Sequence, residues 1–116
     1  HVFNELSLKF KEFTLVFRAY DEGAAYRFMS HSKNPFEVLS EQATFSFAQD
    51  WNMWVPYVRQ NLTDLNTQKI NSFENTYVYT PIAKWYKSRL AFLPTMVDGP
   101  SGKKIVVTES DILEYP

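Results

Sequence analysis

Two alternating, aromatic-rich runs around a short polar stretch constrain this chain more than any other feature. The residues from 17 to 28 read Phe-Arg-Ala-Tyr-Asp-Glu-Gly-Ala-Ala-Tyr-Arg-Phe. Apolar and polar residues that alternate on both sides of a polar segment ending in glycine are typical of a β-hairpin. The stretch therefore predicts two antiparallel strands joined by a tight turn.

The turn residues favour a loop of Asp21, Glu22 and Gly23 over a shorter type I′ turn. The shorter turn would put Glu22 at a positive φ angle and would set Arg18 directly opposite Arg27. In the longer loop Gly23 takes the left-handed conformation, and the two arginines fall on opposite faces. This loop predicts the cross-strand pairs Tyr20 with Ala24, Arg18 with Tyr26, and Val16 with Phe28.

The rest of the chain predicts an all-β fold, an antiparallel β-sandwich with roughly seven to nine short strands. Hydrophobic residues make up 45% of the 116 residues, which is enough for a packed core, and aromatic residues make up 17%. Further strands are predicted at residues 6–10, 36–39, 43–47, 77–80 and 105–108. Pro56 restricts the segment around it to an edge strand or a loop. Residues 58–76 are predicted to form a polar excursion with one helical turn.

Composition and motifs exclude several classes of function. The net charge of −1 gives no sign of nucleic-acid or anionic-membrane binding, and the absence of cysteine excludes zinc–thiolate sites. His1 and His31 lack metal-ligand spacing and are interpreted as solvated. With no nucleophile elbow and no phosphate-binding glycine loop, the chain itself is predicted to carry no catalytic machinery.

Glu109 and Asp111 form the one pair of carboxylates with a suggestive spacing. If the backbone is extended there, both side chains point to the same face. Their oxygens suit a hard cation such as calcium, but calcium takes 6–8 oxygen ligands, so others would have to come from elsewhere. A solvated strand end is the simpler interpretation of the spacing alone.

Aromatic and arginine side chains offer two further candidate sites. Trp51, Trp54 and Trp85 could form a sugar-stacking platform, although core packing is the more common role of tryptophan. Arg18 and Arg27 are predicted to stack on Tyr20 or Tyr26, or to meet a carboxylate. The carboxylates considered for that role are Asp21, Glu22 and Glu41.

Several ordered stretches together resemble the N-terminal domain of glycoside hydrolase family 97. The hairpin sequence carries the main resemblance, and Asn4-Glu5-Leu6 precedes it. Leu93-Pro94 follows the polar excursion. Thr108-Glu109-Ser110-Asp111 and the final Tyr115-Pro116 resemble the end of the family's pattern.

The resemblance implies an accessory role in an exported bacterial α-glucosidase or α-galactosidase. Such proteins carry an N-terminal β-sandwich, a catalytic (β/α)₈ barrel and a small C-terminal β domain, with calcium at the active site. The N-terminal domain lends one glutamate to that calcium, and the matching position is Glu109. Asp111 matches the motif, but the resemblance assigns it no ligand role.

The resemblance also implies that residues 1–116 are one β-sandwich domain and a fragment of a larger super-sandwich, without the barrel. The implied partners are that barrel and an α-linked oligosaccharide, and the implied location is periplasmic or secreted. Sheet edges left uncovered predict self-association. A free-standing carbohydrate-binding module and a purely structural β-sandwich remain as alternatives.

Overall fold

The computed structural model describes residues 2–58, 64–70, 74–86 and 88–110. The chain folds as two compact units, His1–Glu41 and Gln42–Tyr115, each containing one antiparallel sheet. Among the described residues there are seven strands, so the predicted all-β, sandwich-like fold is confirmed. The strands are β1 (Asn4–Lys9), β2 (Phe13–Ala19), β3 (Ala24–Ser30), β4 (Asn52–Val55), β5 (Val78–Pro81), β6 (Thr95–Asp98) and β7 (Lys104–Val107).

The first sheet has the order β1-β2-β3 and contains the predicted hairpin. Its pairing differs by one residue from the prediction. Phe17 lies opposite Tyr26 and Leu15 lies opposite Phe28, so the large apolar residues of both arms share one face. A slip of one residue would move the apolar residues of one arm to the other face. The free energy lost by separating the apolar side chains outweighs the local turn preference.

Arg18 and Arg27 therefore lie on the same face, and their predicted separation onto opposite faces is wrong. They are not direct partners, because Arg18 pairs with Ala25 and Arg27 pairs with Val16. On that face Arg18 Nε donates a hydrogen bond to Glu5 Oε2 at 2.8 Å. The neighbouring strand β1 thus supplies the carboxylate that offsets the arginine charge.

The turn between β2 and β3 spans Tyr20 to Gly23 and needs no left-handed residue. Tyr20 N–H donates to the carbonyl of Gly23 at 2.8 Å, and Ala19 pairs with Ala24. Gly23 is not among the residues with a positive φ angle, which is a correction of its predicted left-handed conformation. The backbone geometry at position 23 therefore does not require a glycine.

The second sheet has the order β5-β4-β6-β7, with β4 in its interior. Alternation along β4 turns Met53 and Val55 toward a buried cluster that also contains Tyr57 and Val97. Partly buried hydrophobic side chains pack around this cluster, namely Phe47, Trp51, Ile82, Trp85 and Ala91. One face of the sheet is thus sealed by loop residues from the same unit.

Several predicted segments differ in the structure. Residues 36–39 and 43–47 form no strand, although Phe47 still packs on the core. β4 lies in the interior of its sheet and not at an edge as predicted. Pro56 permits this because it follows the last residue of β4 and removes no hydrogen bond from the strand itself. β6 was missed because Pro94 immediately precedes it. The predicted strands near 77–80 and 105–108 are confirmed as β5 and β7.

Among the described residues of the polar excursion there is one helical turn, as expected, α1 (Leu65–Lys69). Asp64 caps it by accepting a hydrogen bond from the N–H of Thr67 at 3.0 Å. Gln68 is buried and its amide joins the helix to the segment before β6, donating to Ser88 O and accepting from Leu90 N. In the part of the chain that the structure describes, no helix is long and apolar enough to cross a membrane.

Two glycines give a matched test of backbone geometry. Gly102, in the turn between β6 and β7, has a φ of +76°, and a Cβ at either Gly102 or Gly23 would meet nothing within 4 Å. Gly102→Ala is expected to lower the free energy of unfolding by about 1–2 kcal/mol, because alanine is strained in the left-handed region.

Gly23→Ala serves as the control and should be neutral or stabilising by up to about 1 kcal/mol. Urea unfolding of both variants would measure the difference. Equal losses of stability in the two variants would contradict the assigned turn geometries.

Candidate functional site

Glu109 is positioned by the pairing of β7 with β6. Thr95 pairs with Val107, the last residue of β7, and Glu109 follows two residues later. Both Thr108 and Glu109 are exposed. The sheet therefore holds the backbone just before Glu109, while its carboxylate faces solvent. Asp111, the second candidate carboxylate, lies outside the described residues.

The donor set at Glu109 suits only one position in a calcium shell. A carboxylate oxygen is a hard donor of the kind that calcium prefers. Within residues 2–58, 64–70, 74–86 and 88–110, no group of three or more histidine, aspartate or glutamate side chains comes together to hold a metal. Glu109 thus offers a single carboxylate donor and not a complete calcium shell.

A polar cluster that the sequence did not reveal lies on the second sheet. Asp98 pairs with Lys104 across β6 and β7, and Lys104 Nζ donates to its Oδ1 in an ion pair. Tyr79 Oη donates to Asp98 Oδ2 at 2.7 Å. Asp98 and Lys104 are six residues apart around a turn signal, and that spacing was the available clue.

The cluster shifts the ionisation of its members. The hydrogen bonds from Lys104 and then from Tyr79 hold the pKa of the Asp98 carboxyl below its ordinary value. The hydrogen bond to Asp98 raises the pKa of the Tyr79 hydroxyl. Tyr79 and Lys104 both donate hydrogen bonds to Asp98, so the cluster joins β5, β6 and β7 and is not a reactive site.

The three tryptophans do not form a common platform. Trp51 and Trp85 pack against the buried cluster of the second sheet, as the core-packing interpretation predicts. Trp54 points to the opposite face of β4 and is 37% exposed. Its ring lies 4.6 Å from that of Tyr79, centroid to centroid, with the planes tilted by 38°. The two exposed rings are therefore not coplanar.

A shallow groove of about 470 Å³ adjoins the exposed ring of Trp54. Its lining is almost entirely apolar and comprises Trp54, Tyr77, Pro94, Thr95, Met96 and Val106. Sugar sites combine a stacking ring with convergent polar groups. Asp98, the nearby carboxylate on this sheet, is already engaged by Lys104 and Tyr79. The groove therefore gives no specific support to carbohydrate binding.

Arg18 and His31 have structural roles. The Arg18 guanidinium lies 4.6 Å from the centre of the Phe3 ring, so Arg18 stacks on Phe3 and not on the predicted Tyr20 or Tyr26. His31 is exposed, and its Nε2 lies 2.8 Å from Thr14 Oγ1. His1 lies outside the described residues. The arginine and His31 contacts tie parts of the first unit together.

Comparison with known proteins decides the family. The profile of the family described as Glycosyl-hydrolase 97 N-terminal matches residues 1–116. The chain belongs to this family. It is also 45% identical, over 116 residues, to a retaining alpha-galactosidase of Bacteroides thetaiotaomicron. The match covers 98% of this chain and 18% of that relative, so the chain spans less than a fifth of the relative's length.

Asp98→Asn is expected to destabilise this glycosyl-hydrolase 97 N-terminal domain at neutral pH, because Lys104 and Tyr79 lose a charged acceptor. The folded-state pKa of Asp98 is depressed below its ordinary value of 3.8, so its contribution to stability is present above that pH. The contribution is lost as the pH falls through the folded-state pKa.

Denaturant unfolding between about pH 5 and about pH 2.5 would test this dependence. The native chain should lose stability more steeply with falling pH than Asp98→Asn does. Asp21→Asn, in the exposed turn between β2 and β3, is the matched control and should keep the native slope. The same slope in all three proteins would refute the assigned role of Asp98.

Proposed function

We propose that this chain is the accessory N-terminal domain of a calcium-dependent α-glycosidase, and that Glu109 is the ligand it lends to calcium at the active site. The observation that carries the proposal is the exposed carboxylate of Glu109 directly beyond β7. The family match over residues 1–116 and the name of the relative support the enzyme class.

A single lent carboxylate makes chemical sense for calcium. The ion takes 6–8 oxygen ligands from flexible combinations of carboxylates, carbonyls and water, so one ligand can come from a second domain. When bound, calcium would polarise the departing group or orient the attacking water. This chain holds Glu109 just beyond the end of a paired strand. Because the backbone there is already ordered, less conformational entropy is lost when Glu109 binds calcium.

Bond cleavage belongs to the rest of the parent protein. Glycoside hydrolysis generally needs two carboxyl groups that flank the scissile bond. We place these groups on a catalytic (β/α)₈ barrel of the same polypeptide. The relative is named a retaining alpha-galactosidase, so an α-linked galactoside is the first substrate to test and an α-linked glucoside the second. Such an enzyme would act in the periplasm or outside the cell.

The alternative functions have less support. A free-standing carbohydrate-binding module would need two coplanar, exposed rings, and Trp54 and Tyr79 are tilted by 38°. A purely structural module would leave Glu109 without a role in metal binding. Removing the charge of Glu109 therefore separates the structural module from the proposed calcium ligand.

Glu109→Gln in the full-length enzyme is expected to lower calcium affinity by about tenfold or more, because even indirect partners of a metal ligand are worth 10–100-fold. Hydrolysis of an α-galactoside should fall in parallel at low calcium and recover partly when calcium is raised. Calorimetry and a calcium titration of the hydrolysis rate would measure both effects.

Glu22→Gln is the matched control, since Glu22 is an exposed glutamate in the turn after β2. It should leave calcium affinity unchanged. The isolated 116-residue chain should bind calcium weakly or not at all, because it offers too few ligands. Native calcium affinity in Glu109→Gln, or micromolar affinity in the isolated chain, would contradict the proposal.

We also propose that the isolated chain self-associates, because strands at a sheet edge offer unpaired backbone groups. β1 and β3 are the edge strands of the first sheet. Sedimentation should show a mass that rises with concentration, and Ser7→Lys on β1 should weaken the association by adding charge to an edge. Gln42→Lys, outside any strand, is the control. A monomer at high concentration would refute this expectation.

A further inference from the structure

One dipeptide of the chain, Asp98-Gly99, has the chemistry of a spontaneous rearrangement. In an Asp-Gly pair the glycine nitrogen can attack the carboxyl group of the aspartate, because no side chain on the glycine blocks the approach. The 116 residues contain no other Asp-Gly pair and no Asn-Gly pair. Asp98 is the last residue of β6, so the pair opens the turn that leads to β7.

The structure gives each residue of the pair a separate role. Asp98 accepts hydrogen bonds from Lys104 and Tyr79. At Gly99 a Cβ would lie 3.2 Å from the carbonyl oxygen of Lys103, which is a tight contact with the backbone, so the turn leaves little room for a side chain there. These two requirements place a carboxyl group and a glycine nitrogen next to each other in the chain.

We propose that Asp98-Gly99 is a site of succinimide and isoaspartate formation, and that the folded turn suppresses the reaction. In the first step the nitrogen of Gly99 forms a bond to Asp98 Cγ and loses its proton, while the carboxyl group loses one oxygen as water. Water then adds to either carbonyl of the cyclic succinimide and opens the ring to aspartate or isoaspartate. The sum is an isomerisation, which needs no oxidant, reductant or reagent other than water.

In the folded turn both reacting groups are held by hydrogen bonds. The N–H of Gly99 donates to the carbonyl of Lys103 at 2.8 Å, and the two carboxylate oxygens of Asp98 accept from Lys104 and Tyr79. The last two bonds also hold the pKa of the Asp98 carboxyl below its ordinary value, so the group stays ionised. An ionised carboxylate is a poor electrophile, because its oxygen must leave as water. The reaction therefore requires local opening of the turn.

Isoaspartate at position 98 would change the connection between β6 and β7. Its Cβ becomes part of the main chain, which adds one carbon atom between the two strands, and its free carboxylate is attached to Cα. Asp98 pairs with Lys104 at this end of the ladder. The modification would thus displace the carboxylate from its two donors and disturb the last pair of β6 and β7.

Peptide mapping of the full-length protein can follow the reaction at this one position. Trypsin cleavage after Arg89 and Lys103 releases residues 90–103, in which Asp98 is the one aspartate. Isoaspartate leaves the mass of the peptide unchanged, but it alters the retention time and gives diagnostic backbone fragments. At neutral pH it should accumulate at least about tenfold more slowly in the folded protein than in denaturant.

Two substitutions test the hydrogen bonds to Asp98 separately. Lys104→Met removes the ammonium donor, whereas Tyr79→Phe removes only a hydroxyl and keeps the ring beside Trp54. Each should raise the rate in the folded protein by about two- to fivefold, because exposed polar contacts are individually weak. Lys103→Met is the matched control and should keep the native rate, since the backbone carbonyl of Lys103 serves the turn.

Denaturant provides the common reference, because the four proteins should isomerise there at the same rate. Equal rates in the folded and the denatured native protein would overturn the proposed suppression. Absence of isoaspartate in denaturant would overturn the site itself. Native rates in both folded Lys104→Met and folded Tyr79→Phe would contradict the role of the hydrogen bonds. Tyr79→Phe keeps this test decisive if Lys104→Met does not fold.

Discussion

The position of the candidate ligand depends on the burial of β4. Met53 and Val55 anchor this strand in the core of the second unit, and both neighbouring strands pair with it. Thr95 Oγ1 on β6 donates to the carbonyl of Trp54 at 2.8 Å, which reinforces the pairing. β6 in turn holds β7, and β7 ends two residues before Glu109. The buried strand β4, which is separated from β7 by β6, therefore fixes the position of the exposed Glu109.

Alternation within strands was predictable from the sequence, but pairing between strands was not. The apolar positions of the hairpin were identified correctly because period-two alternation is a local property. The register was missed because it was inferred from turn preferences and one like-charge pair alone. In the structure the pairing of Leu15 with Phe28 and of Phe17 with Tyr26 decides the register. The stabilising energy comes from contacts between the two strands and not from the turn residues.

The dependence on pairing between strands also explains why the cluster of Asp98, Lys104 and Tyr79 was not predicted. β6 has only four residues and follows Pro94, so its strand character depends on the partners on either side. Without β6 there is no reason to bring Asp98 and Lys104 together or to add Tyr79. The choice of Glu109 came from resemblance to a family, since its spacing from Asp111 favoured a solvated strand end. Local propensity thus identified some of the strands, whereas the cluster around Asp98 depends on how the strands pair.

A ligand shared between domains makes metal binding and domain docking dependent on each other. If calcium is held by Glu109 and by groups of the catalytic domain, each event strengthens the other by the same factor. A domain held only by Glu109 would separate whenever calcium was lost. Burial of apolar surface between two domains does not depend on calcium, because it needs no ion. A calcium-independent contact between the domains would therefore let calcium order one side chain rather than recruit a whole domain.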